Sequence, residues 1–278
     1  MMKVTAPENR WISIILVLTV FLPCFRVNAQ DAPATESPSG AMFTFGTDLV
    51  SRYIWRGADY GNAPALQPTV AFSAGGFKAG FWGSYGLSPY SQRINDTVVE
   101  NMGHYAECDL FLSYTVKGFT LSFTDYFIPN GLNPNSDNQY FNYDNSSTGH
   151  SFEAGLSWAG PTSFPLQLSA NTVFYGADKD KDSSGVYGMG IHNNYSTYLE
   201  ASYTFDVKGF DVKPVIGAIP FGSSWYGKDA GIVNAGLTLS KSIALSKEFS
   251  LPLYGSVITN PLSQSIYLVF GLSLQVTR

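Results

Sequence analysis

The sequence is poor in charge, in cysteine and in long apolar runs. Only 13% of its 278 residues are charged, against about 25% in typical soluble domains, and a disordered chain would carry more charge and fewer aromatic residues. Beyond residue 23 no apolar run reaches roughly 18 residues, which argues against a helical membrane protein. Of the two cysteines, only Cys108 lies beyond residue 29, so a chain cleaved there cannot form an internal disulfide.

The first 29 residues form a predicted secretory signal peptide. Lys3 and Arg10 give a positive start, residues 11–22 are apolar, and residues 27–29 supply a cleavage site before Gln30. We therefore expect export through the Sec pathway. A flexible periplasmic leader then follows over residues 30–40, and the folded region covers residues 41–278.

The mature chain is acidic. Residues 1–29 contain three basic side chains and one acidic side chain, so their removal leaves 13 basic against 20 acidic side chains. A nucleic-acid-binding protein needs a basic face, so nucleic acid is not an expected partner. Cys24 suggests a lipoprotein as an alternative, but Pro23 stands where such a signal has a small residue.

Beyond residue 41 apolar and polar residues alternate with the period of β-strands. The C-terminal segment is the clearest, since Ile266, Leu268 and Phe270 share one face, while Gly271 and Ser273 lie on the other. The pattern predicts twelve strands, at residues 42–55, 64–74, 77–87, 104–116, 119–128, 151–158, 166–174, 194–205, 210–220, 233–240, 249–257 and 266–277.

The connections between these strands alternate in length. Five are short and six are mostly longer and more polar, and aromatic residues cluster beside both sets. Short periplasmic turns, longer outer loops and two aromatic girdles are typical of outer-membrane barrels. A secreted β-sandwich also has alternating strands, but it has no reason to segregate its turn lengths. We predict an all-β fold, a transmembrane antiparallel up-and-down β-barrel of about 12 strands that is surrounded by outer-membrane lipids.

Several stretches of the sequence resemble a known family. Residues 48–57 and 64–68, with Gly80–Ser84, are similar to the opening of bacterial outer-membrane barrels described as porins of the TorF type, while residues 124–129 and Asn260-Pro261 are similar to motifs of Bacteroidetes-like relatives. The resemblance implies a barrel in the bacterial outer membrane.

The C-terminus departs from the usual pattern of such barrels. Their last strand commonly ends in an aromatic residue that the barrel assembly machinery recognises, whereas this chain ends Gln275-Val276-Thr277-Arg278. Gly271, Leu274 and Val276 fit an aliphatic version of that signal. The assembly machinery is therefore an expected partner.

The strand pattern predicts a charged lumen. Arg52 and Arg56 lie four residues apart on one face, about 13 Å along a strand. We expect the two arginines to lie opposite Glu107, Asp109 and Glu153 across the lumen. Together these charges would form a constriction that selects solutes by charge. In a narrow barrel the same charges would instead pair and fill the lumen. The candidate pore-lining residues are Asp48, Arg52, Arg56, Lys78, Glu107, Asp109, Glu153 and Glu200.

The predicted function is a porin for small hydrophilic solutes. A closed-lumen receptor or structural barrel is the first alternative, and an outer-membrane hydrolase is the second. The sequence contains neither Gly-x-Ser-x-Gly nor His-Glu-x-x-His. A catalytic set around His150 and Ser151 requires a bulge, because neighbours on a strand point to opposite faces. We expect no enzymatic activity, no cofactor and no metal.

Three features have no assigned role at this stage. A zinc site made by His104, His150 and His192 is conceivable, although polar residues near lipid headgroups are the simpler interpretation. Loop 129–149 either folds into the pore, binds saccharide or a divalent cation, or is a solvated surface loop. Asp125 falls on the predicted lipid-facing side of its strand.

Overall fold

A computed structural model of the protein describes residues 40–278 apart from residues 90–91, 95–96, 100–102, 130–138, 187 and 246–249, and it describes the backbone alone for residues 92–94 and 97–99. The predicted signal peptide and all but the last residue of the predicted leader lie outside the described residues. The strands are, in chain order, β1 (Met42–Val50), β2 (Tyr53–Trp55), β3 (Ala58–Tyr60), β4 (Ala65–Ala74), β5 (Phe77–Pro89), β6 (Gln92–Ile94), β7 (Thr97–Val99), β8 (His104–Val116), β9 (Phe119–Phe127), β10 (His150–Ala159), β11 (Leu166–Gly176), β12 (Thr197–Tyr203), β13 (Phe205–Val207), β14 (Phe210–Ile219), β15 (Gly231–Ala244), β16 (Ser250–Asn260) and β17 (Ser265–Thr277).

Twelve of these strands form one closed antiparallel barrel. They are β1, β4, β5, β8 to β12 and β14 to β17, and each pairs with its neighbours in chain order. Pairing of β1 with β17 closes the barrel, so no long open edge is left along this sheet. The predicted all-β, up-and-down barrel of twelve strands is confirmed. No helix in the described stretches is long and apolar enough to span a membrane.

The structure corrects the predicted course of the first strand. The prediction placed residues 42–55 in one strand, but β1 ends at Val50, and β2 and β3 form a separate two-stranded sheet. Arg56 (φ 49°) and Gly57 (φ 79°) occupy the turn between them, and two successive positive φ angles are typical of a tight type I′ turn. We call residues 53–60 the mouth hairpin.

The two faces of the barrel wall differ in polarity. Leu156 is 54% exposed on the outer face, and Leu121 and Leu268 are similarly exposed. On the inner face Ser84 and Glu107 are almost fully buried. Apolar side chains therefore cover the outside while polar ones fill the inside, which is the reverse of a water-soluble globule and suits a lipid environment.

A charge on the outer face is expected to destabilise the barrel. Leu156 pairs in register with Leu121 and Ala170 within the outer apolar wall. Leu156→Arg should therefore lower the free energy of unfolding in phospholipid vesicles, by up to the value of about 2–4 kcal/mol that is typical at mid-depth. Urea titration of the refolded protein measures this change. Ser157→Arg, one residue along and on the inner face, is the matched control, and an equal loss in both variants would contradict a lipid-facing role for Leu156.

Candidate functional site

The mouth hairpin turns into the barrel and packs its aromatic side chains against the inner wall. The Tyr53 ring lies 5.5 Å from that of Trp82 on β5 and 6.0 Å from that of Tyr105 on β8, measured between centroids. The Tyr60 ring also contacts Tyr105, at 5.6 Å. Tyr53 is only 8% exposed. One side of the outer mouth is therefore filled by packed aromatic rings.

The tip of the hairpin reaches the opposite wall through Arg56. Its Nη1 donates to Glu153 Oε2 at 2.5 Å and its Nη2 donates to Glu153 Oε1 at 2.9 Å, so the guanidinium and the β10 carboxylate form a two-point pair. The two side chains are 12% and 5% exposed. Hydrogen bonds between charged groups are about twice as strong as neutral ones, and the two-point geometry adds specificity. Glu153 thereby links the hairpin to a strand about one hundred residues later in the chain.

Aromatic side chains surround the same guanidinium. Its central carbon lies 4.3 Å from the Trp55 ring centroid, 4.8 Å from that of Tyr198 and 5.9 Å from that of Tyr226. The Tyr226 hydroxyl also accepts a hydrogen bond from Arg56 at 2.5 Å. Attraction between a cation and aromatic faces is strongest where water is excluded. We call this site the Arg56 cage, formed by Trp55, Tyr126, Glu153, Tyr198, Trp225 and Tyr226.

Gly57 lets the tip approach the wall closely. A Cβ atom at this position would lie 1.8 Å from the Val233 carbonyl oxygen of β15, which is far below van der Waals contact. The ladder between β14 and β15 is irregular at Gly217 and Ala218, opposite Val233, and such bulges commonly re-aim part of a strand. The Asn260 side-chain amide of β16 donates to the Gly57 carbonyl at 3.2 Å. The tip is thus seated against β15 and β16.

Arg52 does not join the wall as the sequence analysis expected. Its guanidinium donates to Asp59 Oδ2 at 2.6 Å, and it also contacts Asn62. The guanidinium lies 5.4 Å from the Tyr267 ring centroid. The predicted ladder of Arg52 and Arg56 on one strand is wrong, because β1 ends before both residues. Arg52 instead holds the two arms of the mouth hairpin together.

The remaining predicted lumen residues lie on barrel strands. Tyr105 donates to Glu107 Oε2 at 2.8 Å, and Tyr198 donates to Glu200 Oε2 at 2.5 Å. Asp109, on β8, is 4% exposed, and within the described residues its Oδ1 has no hydrogen-bond donor. Glu107 and Asp109 thus lie close together but are not paired with Arg52 or Arg56.

Two other predicted positions lie elsewhere on the barrel wall. Asp48, on β1, pairs in register with Gln67 and Ser273. The Lys78 Nζ lies 5.8 Å from the Phe111 ring centroid. Of the eight predicted residues, the structure brings one cation and one acid, Arg56 and Glu153, into direct contact.

Two outer loops support the cage from behind. Asp178 is fully buried and accepts hydrogen bonds from the Ser196 backbone at 2.8 Å and its hydroxyl at 2.6 Å. It also accepts from the Ser224 hydroxyl at 2.5 Å, next to Trp225 in the chain. Burial raises the pKa of the Asp178 carboxyl, and hydrogen bonds from Ser196 and Ser224 oppose that rise. Through Ser224 the carboxyl positions the loop that carries Trp225 and Tyr226.

Removal of the Asp178 carboxyl is expected to loosen this loop. Asp178→Ala leaves the buried Ser196 donors without an acceptor, at a typical cost of about 1–3 kcal/mol for each buried group. Backbone amides of residues 221–230 should then exchange with deuterium at least tenfold faster, as measured by mass spectrometry. Asp182→Ala is the control, since Asp182 accepts from Ser184 and Val186 within its own turn. Unchanged exchange in the Asp178 variant would show that the loop holds its shape by itself.

The three histidines lie on different segments, and the side chains of His150 and Ser151, which are neighbours on β10, point to opposite faces of the wall. His150 is fully buried on the outer face, with Nδ1 2.7 Å from Asp125 Oδ1 and Nε2 2.6 Å from the Tyr140 carbonyl oxygen. The Tyr140 carbonyl only accepts, so Nε2 is the donor to it, and Nδ1 lies within hydrogen-bonding distance of the Asp125 carboxyl on the lipid-facing side. His104 Nδ1 lies 2.7 Å from the Gly86 carbonyl. Among the described residues no group of three or more His, Cys, Asp or Glu side chains could hold a metal ion.

The described part of loop 129–149 lies against the outside of the wall. The Tyr143 ring stacks on His150 at 4.5 Å between centroids, and the Tyr175 hydroxyl donates to the Tyr143 carbonyl. Hydrogen bonds from Ser146 lower the pKa of the Asp144 carboxyl. Residues 130–138, including Asp137, lie outside the described residues. Within the described residues, the segment that enters the mouth is residues 53–60, whereas the prediction from the sequence had considered loop 129–149 for that position.

Sequence reasoning missed most of the cage. The pattern of the sequence points to Arg56 and Glu153, but it does not single out Tyr126, Tyr198, Trp225 or Tyr226 as members of a site. Only the Arg56-Gly57 pair, flanked by alternating residues on both sides, carried a signal for a hairpin turn, because Gly readily adopts positive φ. The convergence of the aromatic side chains depends on barrel closure, which no local pattern describes.

Comparison with known proteins gives distant likenesses among solved structures. No protein-family model matches the sequence, and no curated protein matches it. Among solved structures the chain is similar to an outer-membrane channel from Pseudomonas putida, at 13% identity over 91% of this chain and 100% of that chain, with a TM-score of 0.44. It is also similar to OmpF of Salmonella typhi in complex with daunomycin, at 8% identity over 85% of this chain and 97% of that chain, with a TM-score of 0.34. Likenesses this distant assign neither a family nor an activity, and the resemblance to porins of the TorF type stays a prediction.

Proposed function

We propose that the protein is an outer-membrane channel for small hydrophilic solutes and that the mouth hairpin is its gate. The observation that carries this proposal is the bond between Arg56 at the hairpin tip and Glu153 on the opposite wall. In this conformation the hairpin crosses the mouth and restricts passage.

The hairpin is built to move as a unit. Its strands β2 and β3 pair only with each other among the described strands and add no ladder to the barrel sheet. Arg52 and Asp59 hold the two arms together. The hairpin can therefore leave the mouth without breaking the barrel, at the cost of the tip contacts and the aromatic packing at its base.

The wall supports a location in the outer membrane. Its closed sheet satisfies the backbone internally, as lipid requires, and large apolar side chains lie on its outer face. The predicted signal peptide and C-terminal strand signal are consistent with export and with insertion by the barrel assembly machinery. We infer bacterial outer-membrane lipids as the surrounding partner.

The lumen would favour cations once the hairpin has left. Of the predicted lumen residues, five acids (Asp48, Glu107, Asp109, Glu153 and Glu200) and one lysine (Lys78) lie on the barrel strands, whereas Arg52 and Arg56 travel with the hairpin. Rings and patches of acidic side chains select cations in pores. We propose small hydrophilic cations and neutral solutes as the solutes that pass most readily.

Planar-bilayer recording of the mature protein under a salt gradient tests the channel proposal. Discrete current steps with rare openings in the wild type, and a reversal potential that indicates cation preference, are expected. A silent bilayer would contradict the proposal if the protein still migrates as a heat-resistant barrel and if variants without the Arg56 contact are silent too.

A closed-lumen receptor or structural barrel is the second candidate function. The buried, satisfied contact between Arg56 and Glu153 favours it, because such a pair also suits a permanent plug. Silence in every hairpin variant is the result that would establish this candidate over the channel.

A further inference from the structure

We propose that the Arg56 cage is a binding site for small guanidinium compounds, which compete with Arg56 and release the mouth hairpin. The inference extends the proposed function by assigning a ligand class to the gate. It concerns a site whose present occupant is a side chain of the same molecule.

The first support is the chemistry of the cage walls. The carboxylate of Glu153 offers two oxygens at 2.5 and 2.9 Å to the two terminal nitrogens of one guanidinium. The Tyr226 hydroxyl accepts a third hydrogen bond at 2.5 Å. A planar cation with several donors satisfies all of these acceptors at once, whereas an ammonium group presents its donors in another geometry.

The second support is the way the walls are held. Glu153 is 4% exposed, Tyr198 is 1% exposed and Tyr226 is 7% exposed. Tyr126 donates to Glu153 Oε1 at 3.0 Å, and Tyr198 donates to Glu200 at 2.5 Å. Glu153, Tyr126, Tyr198 and Tyr226 belong to the barrel and its outer loops, so they stay in place when the hairpin leaves, whereas Trp55 is part of the hairpin and leaves with it. The walls that stay then form a concave aromatic surface around an uncompensated carboxylate, which attracts a cation.

The third support is the position of the cage at the outer mouth. Tyr198 lies near the outer end of β12, and Trp225 and Tyr226 lie in the loop between β14 and β15. A solute arriving from outside meets this site first when the hairpin swings out. Because the ligand binds only after Arg56 has left, it shifts the population toward the open hairpin.

Calorimetric titration of Arg56→Ala protein in detergent with ethylguanidinium tests the site directly. Ethylguanidinium is the fragment that this substitution deletes, so it can refill the cage. Saturable binding is expected, and Arg56→Ala combined with Glu153→Gln should weaken it at least tenfold, since the two charge-assisted hydrogen bonds are lost. Arg52→Ala, in which Arg56 still occupies the cage, is the matched control and should show no saturable binding in the same concentration range. Equal affinity in the single and the double variant would overturn the inference.

Wild-type protein provides a second test that needs no folded Arg56 variant. Ethylguanidinium should raise the open fraction in bilayer recordings several-fold, whereas the same concentration of tetramethylammonium, a cation without N–H donors, should not. Equal responses to the two cations would overturn the guanidinium assignment. Binding in calorimetry together with silent bilayers would overturn the channel proposal but support the guanidinium site. Conduction by Arg56→Ala protein without binding would support the channel and overturn the guanidinium site.

Discussion

Arg56→Ala is expected to convert a channel that is closed most of the time into one that is open most of the time. The substitution removes the cation from the buried Glu153 carboxylate in the closed conformation, and it changes the open conformation little because Arg56 has already left Glu153 there. Breaking a buried pair by removing one partner typically costs about 3–5 kcal/mol. Since each 1.4 kcal/mol is a factor of ten, the ratio of open to closed hairpins should rise by about 100-fold to 4000-fold. Single-channel recording measures that ratio as the open fraction.

Arg52→Ala is the matched control for this prediction. It removes the same charge from the same segment, but its carboxylate partner Asp59 belongs to the mouth hairpin itself. The open fraction should therefore change far less than in Arg56→Ala. Similar open fractions in the two variants would show that net charge, and not the tip contact, governs closure.

Gly57→Ala is expected to open the mouth without any change of charge. The added Cβ would lie 1.8 Å from the Val233 carbonyl oxygen, so the tip must move away from β15. That movement breaks the hydrogen bond from Asn260 and misaligns Arg56 with Glu153. Positive φ adds about 1–2 kcal/mol for an alanine. We expect an open fraction close to that of Arg56→Ala, measured in the same recordings.

The control for Gly57→Ala separates the clash from the backbone strain. Gly209, in the turn between β13 and β14, has φ 80°, against 79° at Gly57. A Cβ at Gly209 would meet nothing within 4 Å. Gly209→Ala should therefore leave the open fraction at the wild-type level. An open fraction raised equally by both alanine substitutions would mean that the Val233 contact does not hold the tip.

The barrel itself could be predicted because its determinants are local. Alternation along each strand gives the face of every residue, and turn chemistry at sites such as Lys117-Gly118 gives the ends. The count of twelve strands followed from these two patterns alone. Even the lipid-facing position of Asp125 could be deduced from the alternation of its strand. Its partner His150 could not be deduced, because alternation gives the face of a residue but not its neighbour on the next strand.

The gate could not be predicted because its alternation imitates a longer first strand. Tyr53 and Trp55 continue the period of two beyond β1, so the sequence offers no visible break at Ser51 and Arg52. Arg56 then reaches Glu153 across 97 residues of sequence. Such a contact depends on the curvature and closure of the whole sheet, and these properties are absent from any short window of sequence.

The wide separation in sequence of the contacts at the hairpin tip has a consequence for the order of folding. Arg56 and Gly57 require β10, β15 and β16 together, and the hydrogen bond between Asn260 and Gly57 spans 203 residues. Closing so long a loop is entropically unfavourable until the intervening strands are joined. The tip therefore finds its acceptors only after β1 and β17 have met. Docking of the hairpin tip is then the final step of folding, and the mouth of a partly assembled barrel would stay open until β1 pairs with β17.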